Sequence, residues 1–363
     1  MKCKARFVWL LLVIAFVAMS GTAVFAAGQQ EAAGAEEGAE GGWVVGVSNG
    51  YIGNSWRTQM IDAIEKLGQF YEGKGLIKDI IVQNAGLDTN NQIAQIRNMI
   101  AERVDLLLID PNSETALNPV IEEAVARGIT VVVMDQPVTT DECVSVSINQ
   151  ETWGENLAEW LCEELDGSGN IVRIEGLAGH PANVGRVVGM DRVLREYPDI
   201  DLLASVNGDW VQAGSQQVMS DLLASYTDID GVLSQDGMAL GVIQAYEAAG
   251  DDLPLVTGET QVAFLHKWNE LKAETDFYTY AQNNPPGIGA TALGIGIRLL
   301  QGKEFKEGVL SATDKYPRVY FYEVKHHITN ENFDEYYAEY KDEPPTYFPD
   351  EHLSEEELDA LFK

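Results

Sequence analysis

Apolar positions follow two rhythms that alternate along the chain. Short, largely apolar runs lie at residues 43–47, 77–83, 104–109, 130–134 and 144–148. Between them stand longer stretches with helical spacing. In residues 55–70, Trp56, Met60, Ile64 and Leu67 share one face. In residues 88–103, Ile93, Ile96 and Ile100 do so, with Asp88 or Thr89 placed to cap. Residues 115–127 form the next predicted helix. After residue 148 the rhythm restarts, with helices predicted at 152–165, 182–196, 211–225, 238–249 and 263–271. The strands between them are predicted at 170–175, 201–206, 231–234, 254–258 and 277–282; a helix at 287–301 and a strand at 316–325 follow. The strands are continuously apolar rather than alternating, which predicts parallel sheets covered by helices on both faces. The expected fold class is α/β, with two doubly wound parallel-sheet lobes of similar size.

The two ends read differently. Lys2, Lys4 and Arg6 precede an apolar run at 7–17, and Val24, Phe25 and Ala26 fit a signal-peptidase site before Ala27. Residues 1–26 are therefore expected to be a cleavable signal peptide. The product is expected to be periplasmic or secreted, with no stable membrane insertion after processing. Residues 27–42 are a Gly/Ala/Glu low-complexity stretch, expected to be a flexible leader. Residues 331–363 form an acidic, aromatic C-terminal extension. There Ser354 and Glu357 predict a capping box for a short helix that docks Leu361 and Phe362 on a lobe.

Charge and motifs narrow the class. Fifty-seven acidic against 24 basic residues give a net charge of −33, with no basic footprint for nucleic acid. No dinucleotide fingerprint, P-loop, GxSxG, HExxH or Cys–His metal spacing occurs. The expectation is a binder without cofactor or metal, not an enzyme. Asp236 and Glu259 could mimic a glycosidase pair but are better explained as hydroxyl acceptors. His326 and His327, adjacent in a strand, would point to opposite faces and read as surface. His180, in a Gly/Pro loop, has two readings, first loop surface and second a ligand contact. Cys143 and Cys162 leave two outcomes open, a disulfide or two buried thiols.

In open α/β sheets, ligands sit beyond the carboxyl ends of the strands. The residues there are Ser48, Asn49, Asn54, Trp56 and Arg57, then Asp135 and Gln136, then Gly176, His180, Asn183 and Arg186. Asn207, Asp209, Trp210, Gln235, Asp236, Glu259, Gln282, Asn283 and Asn284 complete the set. Aromatic faces cover C–H surfaces while acids and amides take hydroxyls, so the lining suits a polyhydroxylated ligand. Each residue alone is equally a helix cap or core residue; the recurrence at strand ends carries the reading.

The segments NSWRTQMIDAIEKLG, NQIAQIRNMIAERVDLLLIDPNS, GLAGHPANVGRVVG and QDGMALGVIQAYEAAG resemble the periplasmic sugar-binding proteins of ABC importers, the type I ribose-binding-like group. The resemblance spans about residues 44–325. It implies two lobes, joined by a three-crossing hinge, that close on one sugar and deliver it to an ABC permease as a monomer. A sensor feeding a chemoreceptor, quorum or two-component system on the same fold is the alternative. The implied lobes are residues 43–148 plus 284–315 and residues 151–281 plus 318–330, with crossings near Asn149 and Gln150, Gln282 and Asn283, and Tyr316 and Pro317. Asn54, Trp56, Asp135, Arg186, Trp210 and Gln282 match family ligand positions. Arg57 replaces an aromatic, Gln136 an Arg, Val184 an Arg, Gln235 an Asn and Glu259 an Asp. Asn183 and Asp236 complete the expected ligand set, with Trp56 and Trp210 sandwiching the sugar. Arg57 leaves two ligand classes open, a differently oriented hexose or furanose, or a ligand bearing a carboxylate.

Overall fold

The computed structural model describes residues 41–324 and 327–363; the expected signal peptide and nearly all of the leader lie outside the described residues. The first half of the chain runs β1 (Trp43–Asn49), α1 (Ser55–Gly73), β2 (Ile77–Asn84), α2 (Thr89–Glu102), β3 (Leu106–Asp110), α3 (Asn118–Ala126), β4 (Thr130–Asp135) and β5 (Val144–Ser147). The second runs α4 (Gln150–Glu164), β6 (Ser168–Glu175), α5 (Pro181–Leu194), β7 (Asp199–Asn207), α6 (Gln212–Ser225), β8 (Gly231–Ser234), α7 (Ala239–Ala249), β9 (Leu255–Val256), α8 (Val262–Glu274) and β10 (Ala281–Gln282). Then come α9 (Ile288–Leu300), β11 (Val319–Phe321), β12 (His327–Ile328), α10 (Phe333–Tyr340) and α11 (Glu355–Ala360).

Two parallel sheets result, one ordered β11-β5-β4-β3-β1-β2 and the other β7-β6-β8-β9. The side-chain period of two sends neighbouring residues of an inner strand to opposite helix layers, so β3 is apolar from Leu106 to Ile109. Leu106 and Leu108 of β3 join the core layer of Met60, Ile64 and Leu293, whereas Leu107 and Ile109 join that of Ile96, Met99 and Ile121. In the second sheet, Ile171 packs with Leu157, Leu161 and Met190, while Val172 and Ile174 pack with Met219 and Val242. Each such fully buried aliphatic side chain contributes about 2 kcal/mol. Two doubly wound parallel sheets joined by crossings are the architecture that the sequence resemblance implied. The order of strands reverses between β1 and β3 and again between β6 and β8, so both switch points open at the carboxyl ends of strands.

The passages between sheets differ from expectation at one place. β5 is in the first sheet and α4 packs on α5 of the second, while α9 packs back on α1 and β4. Residues 318–330 were expected wholly in the second lobe, with a crossing at Tyr316 and Pro317. Instead Val319, Tyr320 and Phe321 pair in parallel with Ser145, Val146 and Ser147, covering the open edge of β5. The return lies beyond Phe321, because β12 pairs with β10. Pro317 punctuates a loop rather than a change of lobe. Cys143 and Cys162 are both buried free thiols, which removes the disulfide alternative. Burial pushes their pKa values up to about 12 and about 11.

Candidate functional site

A cavity of about 390 Å³ lies between the carboxyl ends of the two sheets. From the first lobe it is lined by Asn54, Trp56, Arg57 and Asp135; from the second by His180, Arg186, Trp210 and Asp236. Asn284, which follows β10, and Pro345, Thr346 and Phe348 of the C-terminal extension also line it.

On the first lobe the chemistry centres on Arg57. Asn54 caps α1, its side chain accepting the Arg57 backbone N–H at 3.0 Å, and this fixes the first turn. Trp56 donates its indole N–H to the Asn284 carbonyl. The Arg57 guanidinium is buried between Asp110 at 2.7 Å and Asp135 at 3.0 Å. Burial opposes its charge, but the two carboxylates outweigh burial and hold its pKa above the ordinary value. For Asp110 burial wins, and its pKa rises to about 6 despite Arg57. For Asp135, burial is overcome by Arg57 and by the Gln136 amide, which donates at 2.9 Å, and the pKa falls below the ordinary carboxyl value. Asp135 holds a left-handed backbone with φ 66°, a conformation Asp tolerates better than most residues.

On the second lobe Arg186 is buried, donating to Gln150 and to Asp236, each at 2.8 Å, and lying 3.8 Å from the Trp153 ring centroid. Burial raises the pKa of Asp236 while Arg186 opposes the rise. Trp210 sits at φ 56°, donates to Gln235 at 2.9 Å and meets the His180 ring edge-on, the centroids 4.8 Å apart. Gly176 lets the indole lie this close, since a Cβ there would stand 2.0 Å from the ring. The first sequence reading placed His180 on the loop surface; the structure places it in the cavity. Its Nε2 lies 3.4 Å from Arg57 and 3.0 Å from the Gln136 amide nitrogen. Burial and then Arg57 lower its pKa to about 3, so the ring is neutral and accepts at Nε2, with its proton on Nδ1.

Gln136, Asn183, Gln235, Glu259 and Gln282 do not line the cavity. They stand behind it, and Gln136 and Gln235 hold the lining residues Asp135 and Trp210. Gln136 supports Asp135; Asn183 accepts from the Gly176 N–H and the Gln235 amide; Gln282 accepts from Asn156 and Tyr280. Glu259 is fully buried at the start of α7, accepting the Leu240 N–H at 3.3 Å. Burial raises its pKa to about 8 against the pull of the Leu240, Gly237 and Met238 amides. Sequence reasoning missed Asp110, although it directly follows a predicted strand, and Trp153, in the first turn of α4. It also missed Pro345, Thr346 and Phe348, for which no local signal exists. His326 lies outside the described residues; His327 faces Tyr280, Oη to Nδ1 2.6 Å.

The fold and this cleft together define a two-lobed solute-receptor architecture. The chain belongs to the periplasmic binding protein family, whose domain profile matches residues 45–304. It is similar to the xylitol-binding protein of Mycolicibacterium smegmatis, 28% identical over 63% of this chain and 65% of the relative, just under two thirds of its length. It is also similar to the ribose import binding protein of Bacillus subtilis, 24% identical over 74% of this chain and 85% of that one. Among solved structures, an ABC transporter solute-binding protein from Thermobispora bispora superposes with a TM-score of 0.77 at 27% identity, covering 87% of this chain and 93% of the other. One from Bacillus halodurans with bound myo-inositol has a TM-score of 0.68 at 25% identity, covering 84% and 100%.

Proposed function

We propose that this protein is an extracytoplasmic receptor that captures a small neutral polyhydroxylated molecule, a monosaccharide or polyol, in the interlobe cavity and delivers it to an ABC permease. One observation carries the reading: aromatic faces and carboxylates from both lobes meet in a single cavity whose two guanidiniums are already paired. Asp135 Oδ1 and Asn284 Oδ1, both on lining residues, are buried acceptors without a partner, and hydroxyl groups supply the matching donors. The relatives named above bind xylitol or import ribose, and one neighbour holds myo-inositol; all three are neutral carbon skeletons bearing several hydroxyls. Contact with both lobes at once gives the ligand a higher affinity for the closed form, so binding favours closure.

A thermal-shift screen of neutral sugars, polyols, sugar acids and amino sugars tests this. At a hundredfold excess over Kd a ligand of the folded state stabilises by about 2.7 kcal/mol. At least one neutral polyol is expected to raise Tm and the sugar acids are not. A panel in which no neutral sugar or polyol shifts Tm, or only the acids do, overturns the proposal.

A further inference from the structure

The C-terminal extension is anchored to both lobes on either side of a single peptide bond. On the second lobe, Phe333 of α10 is buried against Trp268 of α8, ring centroids 4.6 Å apart. The α8 N-terminus has no side-chain cap; its first amides, Val262 and Ala263, donate instead to the carbonyls of Tyr347 at 2.9 Å and Pro345 at 2.8 Å. On the first lobe, Gln59 of α1 pairs both ways with the Phe348 main chain, donating at 2.8 Å and accepting at 2.9 Å. Beyond it, Leu353 N–H reaches Thr291 of α9 at 3.0 Å, Leu358 is fully buried beside Gly294, and Phe362 stacks on Phe305. Asn283, between the sheets, donates to the Pro349 carbonyl at 2.8 Å. The chain thus makes a further passage between lobes at Tyr347 and Phe348, beside the cavity that Pro345, Thr346 and Phe348 line.

We infer that this extension is a strap that restrains how far the lobes part and bounds one side of the ligand cavity. The inference rests on the receptor reading, because it assigns a regulation to that cleft. The argument is one of length. Tyr347 is held to α8 and Phe348 to α1, and adjacent Cα atoms stand about 3.8 Å apart, so the anchors leave no slack. The Gln261 amide adds a direct bond to Ser55 Oγ at 3.1 Å beside them. The lobes therefore pivot on the side carrying the strap. Opening breaks instead the contacts that His180 makes with Arg57 and Gln136.

Lengthening the strap tests this without removing either docked end. A Gly-Ser-Gly-Ser insertion between Tyr347 and Phe348 adds about 13 Å of reach and leaves α10 and α11 in place. Spin labels at Asp62→Cys and Ser220→Cys, both exposed, report the interlobe distance in the ligand-free chain with Cys3→Ser, the other two thiols being buried. The insertion is expected to broaden the distribution and move it outward by several ångströms, and far-UV circular dichroism to stay unchanged. Superimposable distributions in a folded insertion variant overturn the strap. Gln59→Ala, which removes only the first-lobe pairing, is expected to move the distribution the same way by less; an inward shift in either variant also overturns it. Titration of D-ribose, xylitol and myo-inositol into the same samples separates the two readings. If no probe binds the wild-type chain, the polyol reading loses its support while the label distances still decide the strap.

Discussion

Replacing Glu259 with glutamine removes a buried proton-binding group without changing side-chain shape. The carboxyl is inaccessible to solvent, and burial raises its pKa from the ordinary 4.5 to about 8. In the unfolded chain it ionises near its ordinary value. Between the two values the folded state therefore binds a proton that the unfolded state has released, and stability falls as pH rises across that window. The contribution is fully present below about pH 4.5 and lost once pH passes about 8. A displacement of that size corresponds to about 5 kcal/mol. Glutamine cannot ionise, so Glu259→Gln should flatten the decline between pH 5 and pH 9 by several kcal/mol, read by urea denaturation at each pH. Asp236, the carboxylate that contributes to the shift, is unchanged in the variant and serves as the common background. Because Glu259 does not line the cavity, ligand affinity at pH 7 should stay within about threefold, well under the 1.4 kcal/mol of a tenfold change. Equal pH slopes in wild type and variant would refute the argument that burial, rather than the helix amides, decides the state of this acid.

Three more outcomes follow from the same geometry. Trp210→Ala should weaken binding of the ligand found by screening about 30-fold, the cost of truncating a buried aromatic anchor. Trp43→Ala, in the core far from the cleft lining, should cost about 3 to 5 kcal/mol of stability with affinity unchanged; calorimetry and denaturation on both variants separate the two effects. Arg57→Met leaves Asp110 and Asp135 facing each other without their shared cation and should destabilise by about 3 to 5 kcal/mol. The deficit should shrink as pH falls, because protonation relieves the two carboxylates; a deficit equal at pH 5 and pH 8 contradicts the assignment.

The sequence carried the sheets because central strands such as β3 and β4 are buried on both faces, which leaves apolar runs. It carried much of the cleft lining because a doubly wound sheet brings its strand ends to one side. That rule found Trp56, Arg57, Asp135, Arg186, Trp210 and Asp236. It could not tell which member of a neighbouring pair faces the cavity. Asp135 lines it while Gln136 stands behind, and Asp236 lines it while Gln235 stands behind; both pairs sit where the chain turns out of its strand, Asp135 at φ 66°, and no sequence period sets the facing there. His180 was misplaced because a Gly/Pro loop implies exposure, whereas Arg57 and Gln136 from the other lobe cover it. β11 and the strap depend on partners remote in sequence: Phe348 meets Gln59 across 289 residues. No periodicity or motif in residues 341–350 encodes that return.

The charge in the cleft weighs on the two ligand classes that Arg57 left open. Arg57 and Arg186 face three buried carboxylates, Asp110, Asp135 and Asp236. The neighbouring His180 is neutral at pH 7, and Glu259 is protonated there. An anionic ligand finds no guanidinium that is not already paired. To bind Arg57 it must displace Asp110 or Asp135 and leave a buried carboxylate without its cation, a penalty of about 3 kcal/mol or more. It also meets the repulsion of the remaining acids, about 4 kcal/mol for a charge 4 Å away at the effective dielectric of such sites. A hydroxyl incurs neither cost and can donate to the free Asp135 oxygen. The arginine that hinted at an acidic ligand thus serves instead to hold Asp135 ionised as a hydrogen-bond acceptor, and this favours a neutral polyol over a sugar acid.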